Sequence, residues 1–151
     1  MTLRISTGLA TLLAGTTGFS GAMASGVIDI YSGTQPASAD AAATGTLLGT
    51  VTLNAGAFTP GSTTNGLTFA AASAGTVSKS GVWSFVGIAA GTAGWFRFRG
   101  NAVDSGAIST VLPRLDGSVA TSGANLNLSN ISIAVGAPTT VDTFTWTQPL
   151  Q

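Results

Sequence analysis

Carboxylates are the main side chains of this sequence that could do chemistry. All five acidic residues are aspartates, and they are far apart along the chain: Asp29, Asp40, Asp104, Asp116 and Asp142. A fold that gathered some of them could bind a hard cation such as calcium or provide a carboxylate pair for glycoside hydrolysis. The sequence has no Asp-x-Asp-x-Asp-Gly loop, however. We therefore predict no metal site, no cofactor and no catalytic residue.

The single lysine is the next candidate, because Lys79 stands between Ser78 and Ser80. A serine beside a lysine can act as an activated nucleophile. Neighbouring residues of an extended strand point to opposite faces, so these side chains would not meet. The chain also contains no histidine and no cysteine, which commonly supply bases, nucleophiles and metal ligands. We expect a binding or structural protein, not an enzyme.

The segment GWFRFR carries a third set of candidates. Strand alternation places Trp95, Arg97 and Arg99 on one side and the two phenylalanines on the other. Two cations and an indole are costly to bury together, so we expect this side to face either solvent or a partner. Arg and Trp are frequent in binding hot spots. Trp95, Arg97 and Arg99 are therefore candidate partner-binding residues.

Composition narrows the class of protein further. The 151 residues are 44% hydrophobic and only 7% charged, and the net charge is +0. This length suits one globular domain, and so few charges leave a surface of hydroxyl, amide and backbone groups. Without clustered Lys and Arg, the chain has no electrostatic attraction for nucleic acid or for anionic lipid. We expect a protein partner, with no direct contact to nucleic acid or membrane.

Beyond Gly26, apolar and polar residues alternate with the period of two that is typical of strands. Gly, Asn and Pro separate these segments at short intervals, which favours antiparallel connections. The fold class predicted is all-β, a jelly-roll-like antiparallel β-sandwich over 27–151 with its core around Trp83, Phe85, Phe144 and Trp146. We expect the two strongest segments, 82–88 and 94–99, to form a hairpin. The other predicted strands are 27–32, 46–53, 67–71, 75–78, 107–112, 114–120, 126–135 and 141–147.

Residues 1–26 have a different pattern and are predicted to form a short, partly helical N-terminal arm. Leucines recur at helical spacing, and an i, i+4 pair follows them. The segment imitates a secretory signal, but its many Ser, Thr and Gly residues favour an arm over a cleaved peptide or a membrane span. So short an apolar stripe needs either the body of the protein or a neighbour to cover it, and we expect a partner to be that neighbour. The candidate partner-binding residues of the arm are Arg4, Leu9, Leu12, Leu13, Phe19 and Met23.

Several strings of the sequence together resemble a family of small virion proteins of tailed bacteriophages. They are MTLRISTGL, GVIDIYSGTQPASADAAATGTLLG, GTAGWFRFRGNAVD, LDGSVATSGANLNLSN and VDTFTWTQPLQ, and they extend over nearly the whole chain. Among members with an assigned role, the chain is most similar to the jelly-roll cement, or decoration, proteins of short-tailed phages. These strings are distinctive but are not the signature of a particular chemistry, so they indicate kinship and not a mechanism.

The resemblance implies a structural protein on the exterior of the capsid. Its partners would be the major capsid protein, whose neighbouring subunits it would cement, and a second copy in a homodimer, with a trimer as the other oligomer. The alternative is a jelly-roll module on the tail or a fibre that binds host carbohydrate or a receptor, because aromatic rings with a few hydroxyls and carboxylates suit a sugar. Copy number in the particle separates the two hypotheses.

Overall fold

The computed structural model describes residues 3–148, and strands dominate it. Two short helices, α1 (Thr7–Ala14) and α2 (Phe19–Ala22), lie near the beginning of the chain. None of the helices in this range has the length and apolar character that crossing a membrane requires. The eleven strands are β1 (Arg4–Ile5), β2 (Val27–Ser32), β3 (Leu47–Leu53), β4 (Thr68–Phe69), β5 (Thr76–Ser80), β6 (Trp83–Val86), β7 (Gly91–Arg99), β8 (Arg114–Ala120), β9 (Leu126–Leu128), β10 (Ser132–Ile133) and β11 (Pro138–Thr147).

The strands form one sheet that closes on itself. Hydrogen-bonded neighbours follow the order β8-β7-β2-β3-β6-β11, and β9 bridges from β11 back to β8. The β8–β9 pair is parallel, whereas the other pairs of strands in this sheet are antiparallel. The described chain is thus mostly β, with a barrel- or sandwich-like sheet. At this level the fold class predicted from the alternation is confirmed.

The interior of this sheet holds an apolar core rich in aromatic rings. Trp83, Phe98 and Phe144 lie at its centre, where the Phe98 ring centroid is 6.0 Å from that of Trp83 and 5.6 Å from that of Phe144. Edge-to-face contacts of this kind stabilise a core beyond the area that they bury. Phe85 is also buried, and Trp146 packs partly buried against the same cluster. The four aromatic core residues predicted from the sequence are therefore in contact with the core.

The segment before β2 is part of the same body. Ser6 caps α1 by accepting a hydrogen bond from the Leu9 N–H at 3.1 Å. The side chains of Leu9, Phe19 and Met23 are buried in the common core, and the Phe19 ring stacks on Trp146 at 4.7 Å. The expectation that these three face a partner is wrong, because the chain's own strands cover them and remove their apolar surface from water.

Two local predictions about strands are also wrong. Segments β6 and β7 do not form a hairpin: β6 pairs with β3 and β11, whereas β7 pairs with β2, β8 and β10. Residues 107–112 are a loop and not a strand. Nearness in sequence favoured the hairpin, but each of these strands pairs with strands that are more distant along the chain.

Candidate functional site

The side of β2, β7 and β8 that faces away from the core carries five of the ten charged residues of the chain. In register, Arg97 of β7 lies between Asp29 of β2 and Asp116 of β8. Two residues further along these strands, Arg99 of β7 is opposite Arg114 of β8. Alternation therefore gathers oppositely charged side chains from three adjacent strands into one layer.

Together with Asp104, which lies between β7 and β8, these side chains form three ion pairs with short hydrogen bonds. Arg97 donates from Nε and Nη2 to the two carboxylate oxygens of Asp116, at 2.8 and 2.7 Å. Arg114 donates in the same bidentate way to Asp104, at 2.7 and 2.6 Å. The third pair, Arg99 to Asp29, is 2.7 Å long and less deeply buried. The fork of a guanidinium matches a carboxylate, so each pair fixes orientation as well as distance.

The layer is buried, which corrects the expectation for Trp95, Arg97 and Arg99. Trp95 has no exposed surface, the Arg97 side chain is 1% exposed, and Arg99 is only partly exposed. The Trp95 ring stacks on Tyr31 at 4.6 Å and lies 5.6 Å from the Arg97 guanidinium. Burial is tolerated because carboxylates and carbonyl groups satisfy the guanidinium donors. The strip is therefore not a surface open to a partner.

Two loops cover the ion-paired layer, and we call them the cover loops. The first is 33–46, between β2 and β3, and the second is 100–113, between β7 and β8. Three guanidinium groups hold the first loop by its backbone. Arg4 donates to the carbonyl of Pro36 at 3.1 Å, Arg97 to that of Ala41 at 3.0 Å, and Arg114 to that of Ala39 at 3.4 Å.

The second cover loop is held by the same layer and by the first loop. Asp104 supplies the carboxylate for Arg114, and the Ala107 carbonyl accepts from the same guanidinium at 2.8 Å. The backbones of the two loops are joined where Ala43 N–H donates to Gly106 at 2.9 Å. The loops are therefore fixed to the sheet and to each other, as one rigid unit.

Helix α1 is attached to this unit through Asp40. The Asp40 carboxylate accepts hydrogen bonds from the Thr7 backbone N–H at 2.8 Å and the Thr7 hydroxyl at 2.6 Å. These bonds satisfy a donor at the start of the helix, as an N-terminal cap does. The hydrogen bond from the Thr7 side chain is the main cause that lowers the pKa of Asp40 below its ordinary value. Asp40 thus joins the first cover loop to α1.

Burial and ion pairing shift the pKa values of the charged groups of the layer in opposite directions. Burial alone would raise the pKa of Asp104, but hydrogen bonds from Arg114 and the Gly106 N–H outweigh it, so that pKa is lowered. Burial would likewise lower the pKa of Arg97, yet the bonds and charge of Asp116 raise it. Burial, followed by the nearby charge of Asp29, raises the pKa of Tyr31 to about 12. At Asp116, burial outweighs the hydrogen bonds and charge of Arg97, so the pKa of this carboxyl is raised.

The second cover loop displays three large aliphatic side chains to solvent. Val103, Ile108 and Val111 are 75%, 78% and 78% exposed, the highest exposures among the large hydrophobic residues that the structure describes. Next to Val111, the half-buried Leu12 of α1 helps to line a depression of about 200 Å³ with Gly8, Thr11 and Thr110. We call Leu12, Val103, Ile108 and Val111 the cover face. Of the predicted partner-binding residues, Leu12 lies on this face, while Leu13 packs against the core and Arg4 is tied to the first loop.

Helix α1 and the second cover loop are in very close contact at Gly8. A Cβ atom at this position would overlap the Val111 carbonyl oxygen. Glycine is therefore required there, because it alone lets the backbone of the helix approach that of the loop. The contact fixes Leu12 and Val111 next to each other on the cover face.

Several residues of this site were not predicted from the sequence. Asn101, at the start of the second loop, donates to the carbonyls of Ser25 and Ser62 at 2.8 and 2.7 Å and anchors the loop to two other segments. Nothing in the sequence distinguishes it from other loop asparagines. Arg114 and Asp116 could have been found, since they alternate along a predicted strand as Arg97 and Arg99 do.

The remaining charged side chains do not form a reactive group. Lys79 donates to the Gly81 carbonyl at 3.3 Å, and Asp142 is exposed on β11, where the Thr140 hydroxyl donates to it at 3.4 Å. Within residues 3–148, no three His, Cys, Asp or Glu side chains come together in a way that could hold a metal ion. The chemistry of the site is thus that of ion pairs, backbone hydrogen bonds and exposed aliphatic groups.

Searches against protein-family models, curated proteins and solved structures found no match for this chain. The site is therefore defined by its own geometry. Ion pairs bind two loops to a sheet, and one of those loops displays aliphatic side chains to solvent.

Proposed function

We propose that this chain is a structural virion protein, a jelly-roll-like cement protein that binds the outer surface of a phage capsid and joins neighbouring major capsid protein subunits. The observation that carries this proposal is the cover face. The three most exposed large hydrophobic residues of the described chain lie on a loop that buried ion pairs hold in place. Exposed apolar groups on a rigid support are typical of a binding surface.

Rigidity is what makes the cover face suited to binding. A mobile loop loses conformational freedom when a partner orders it, and that loss weakens association. Here the Arg114 guanidinium binds both Asp104 and the Ala107 carbonyl of the second loop before any partner arrives. The aliphatic side chains are therefore displayed in a fixed arrangement, and their burial contributes to affinity with little ordering cost.

The distribution of charge also supports a protein partner. Most charged side chains are used inside the molecule, and the cover face itself carries none. Such a face selects a partner by shape and apolar contact, and salt should affect its binding only weakly. A modest contact suffices on a capsid, because micromolar binding corresponds to about 8 kcal/mol at a 1 M standard state and is repeated over many copies.

Binding to capsids tests the proposal directly. The protein and its variants are mixed with purified capsids that lack it, from the phage that encodes it, and cosedimentation is measured over a range of concentrations. We expect the double variant Ile108→Ser/Val111→Ser to bind at least about tenfold more weakly, since two exposed aliphatic contacts are lost. The matched control, Ile88→Ser/Val135→Ser, changes two other exposed aliphatic residues and should bind as the wild type does. Equal binding by the two double variants would contradict the role of the cover face.

The homodimer and the capsid exterior are part of the same proposal. A closed two-fold dimer would present two cover faces, and two such faces on one particle could contact two capsid subunits at once. Light scattering of the purified protein gives its mass, and a dimer or a trimer is distinguished from a monomer by that value. A monomer that still cosediments with capsids would remove the dimer from the proposal and leave the cover face in place.

A further inference from the structure

The cover face contains a depression between α1 and the end of the second cover loop, and we call it the α1 depression. Gly8, Thr11 and Leu12 line it from the helix, and Thr110 and Val111 line it from the loop. None of these residues is charged. A concave, uncharged surface of this kind suits an apolar group, because a charged group would lose its water there without gaining an ionic partner.

The two walls of the α1 depression are held together from below. The backbones of helix and loop touch at Gly8, where a Cβ atom would overlap the Val111 carbonyl oxygen. One turn away, the Ser6 hydroxyl donates to the Leu112 carbonyl at 2.7 Å and accepts from the Arg114 N–H at 2.9 Å. The depression therefore exists before a partner binds, and filling it costs little conformational freedom.

The volume of the α1 depression, about 200 Å³, suits a single aromatic ring. An apolar cavity of about 150 Å³ holds one benzene molecule, whereas pockets for whole small molecules usually measure about 300–1,000 Å³. A smaller aliphatic group would leave space in which the lining atoms have no contacts. The hydroxyl groups of Thr11 and Thr110 can also form hydrogen bonds with the polar tip of a tyrosine or tryptophan ring.

A second copy of this chain does not present such a ring. All the aromatic residues lie in the described part of the chain, and each of them is buried or half-buried. The large hydrophobic residues that are exposed there are all valine or isoleucine. The ring must therefore come from a different protein, and in the proposed function that protein is the capsid subunit.

We infer that the α1 depression receives one aromatic side chain of the major capsid protein. This inference rests on the proposed function and names the group that anchors the cover face to its partner. Aromatic residues are enriched at the centres of interfaces, and one that fills a preformed pocket contributes more to affinity than the flat contacts around it. The exposed aliphatic side chains of the cover face then help to exclude water from this contact.

Filling the depression tests the inference, because it adds apolar area and removes the pocket in one step. Thr110→Trp places an indole on the loop wall of the α1 depression, and Thr11→Trp places one on the helix wall. Ser105→Trp is the matched control, since Ser105 is exposed on the same loop and does not line the depression. Circular dichroism and thermal unfolding establish that each variant is folded.

In the cosedimentation assay, we expect Thr110→Trp and Thr11→Trp to bind capsids at least about tenfold more weakly than the wild type. Ser105→Trp should bind as the wild type does. On a flat apolar surface, the added indole would instead strengthen binding or leave it unchanged. That result for both filled variants would overturn the inference and leave the proposed function standing.

A free ring compound tests the α1 depression without the capsid. The probe is p-cresol, the analogue of a tyrosine side chain, with isobutanol as the aliphatic control, and NMR follows the methyl signals of Leu12 and Val111. We expect p-cresol to shift these signals at about millimolar concentration in the wild type and in Ser105→Trp, but not in Thr110→Trp. Shifts no larger than those from isobutanol would overturn the inference.

The two assays together separate the failure of this inference from the failure of the proposed function. If the wild type does not bind capsids but p-cresol still shifts the Leu12 and Val111 signals, the proposed function is removed. The capsid subunit is then overturned as the source of the ring, while the α1 depression stays a site for an aromatic group. Capsid binding without an effect of p-cresol or of the filled variants removes the aromatic anchor alone.

Discussion

The two faces of the sheet formed by β2, β7 and β8 are buried by different means. On the inner face, Phe96 and Phe98 pack into an apolar core with no need for specific partners. On the outer face, each guanidinium nitrogen of the buried Arg97 donates to the Asp116 carboxylate or to the Ala41 carbonyl of the first cover loop. The inner face is stabilised by buried apolar area, which tolerates changes in the shape of individual side chains. The outer face is stabilised by matched ion pairs, which do not tolerate the loss of one partner. The outer face therefore specifies where the cover loops lie.

The largest expected effect comes from breaking one matched pair. Asp116→Ala leaves the buried Arg97 guanidinium without its carboxylate, and removing one partner of a buried pair typically costs about 3–5 kcal/mol. We expect a loss of this size in the free energy of unfolding, measured by urea denaturation. Asp142→Ala is the control, because Asp142 is exposed and its replacement should change stability by less than about 0.5 kcal/mol. A loss of stability for Asp116→Ala as small as that for Asp142→Ala would show that the outer face does not depend on its matched ion pairs.

Replacing both partners sharpens the comparison. The double variant Arg97→Met/Asp116→Leu turns the pair into apolar contacts, which resemble those of the inner face. It should be less destabilised than Asp116→Ala alone, because no uncompensated charge remains buried. A double-mutant cycle in urea measures this coupling. Additive losses from the two replacements would contradict the pairing.

Acid should weaken the pair that Asp104 forms with Arg114 on the outer face, whereas Asp116, whose pKa is raised, contributes in the opposite sense. The pKa of Asp104 is lowered in the folded chain, so its ionised form contributes stability above the pKa of the unfolded chain, about 3.9. That contribution is lost as the pH falls from about 4 through the lower, folded pKa. We expect the free energy of unfolding to fall in this range, and Asp104→Asn to be less stable at neutral pH with a shallower dependence on acid. An unchanged pH profile in that variant would contradict the assignment.

The smallest expected effect is at the junction of the first cover loop with α1. Asp40→Ala removes the acceptor for the Thr7 N–H, and loss of such a cap typically costs about 1 kcal/mol. Thermal unfolding should show a modest decrease in the midpoint. Ser38→Ala, which removes the local hydrogen bond to the Asp40 N–H, tests whether the loop turn alone accounts for the decrease. Equal losses in both variants would remove the capping role from Asp40.

The strands and their inner faces could be predicted from the sequence, because alternation is a local signal. The segment VIDIYS forms β2 over the predicted residues, and Ile28 and Ile30 face the core. The burial of the outer face could not be predicted in the same way. It depends on Asp104 and on carbonyls of the first loop, which are distant from Arg97 and Arg114 in sequence and meet them only in the fold. The register that places Arg99 opposite Arg114 on neighbouring strands also depends on the fold. Because the contacts that hold the cover loops are non-local, the sequence did not reveal these loops or their exposed aliphatic residues.

The abundance of this chain in purified phage particles tests the central claim most directly. Quantitative mass spectrometry would compare it with the major capsid protein of the same particles. A cement protein that joins capsid subunits through its cover face should be present in copy numbers close to those of the capsid protein. A few copies per particle, or none, would contradict the account, and a few copies would favour a role on the tail or a fibre.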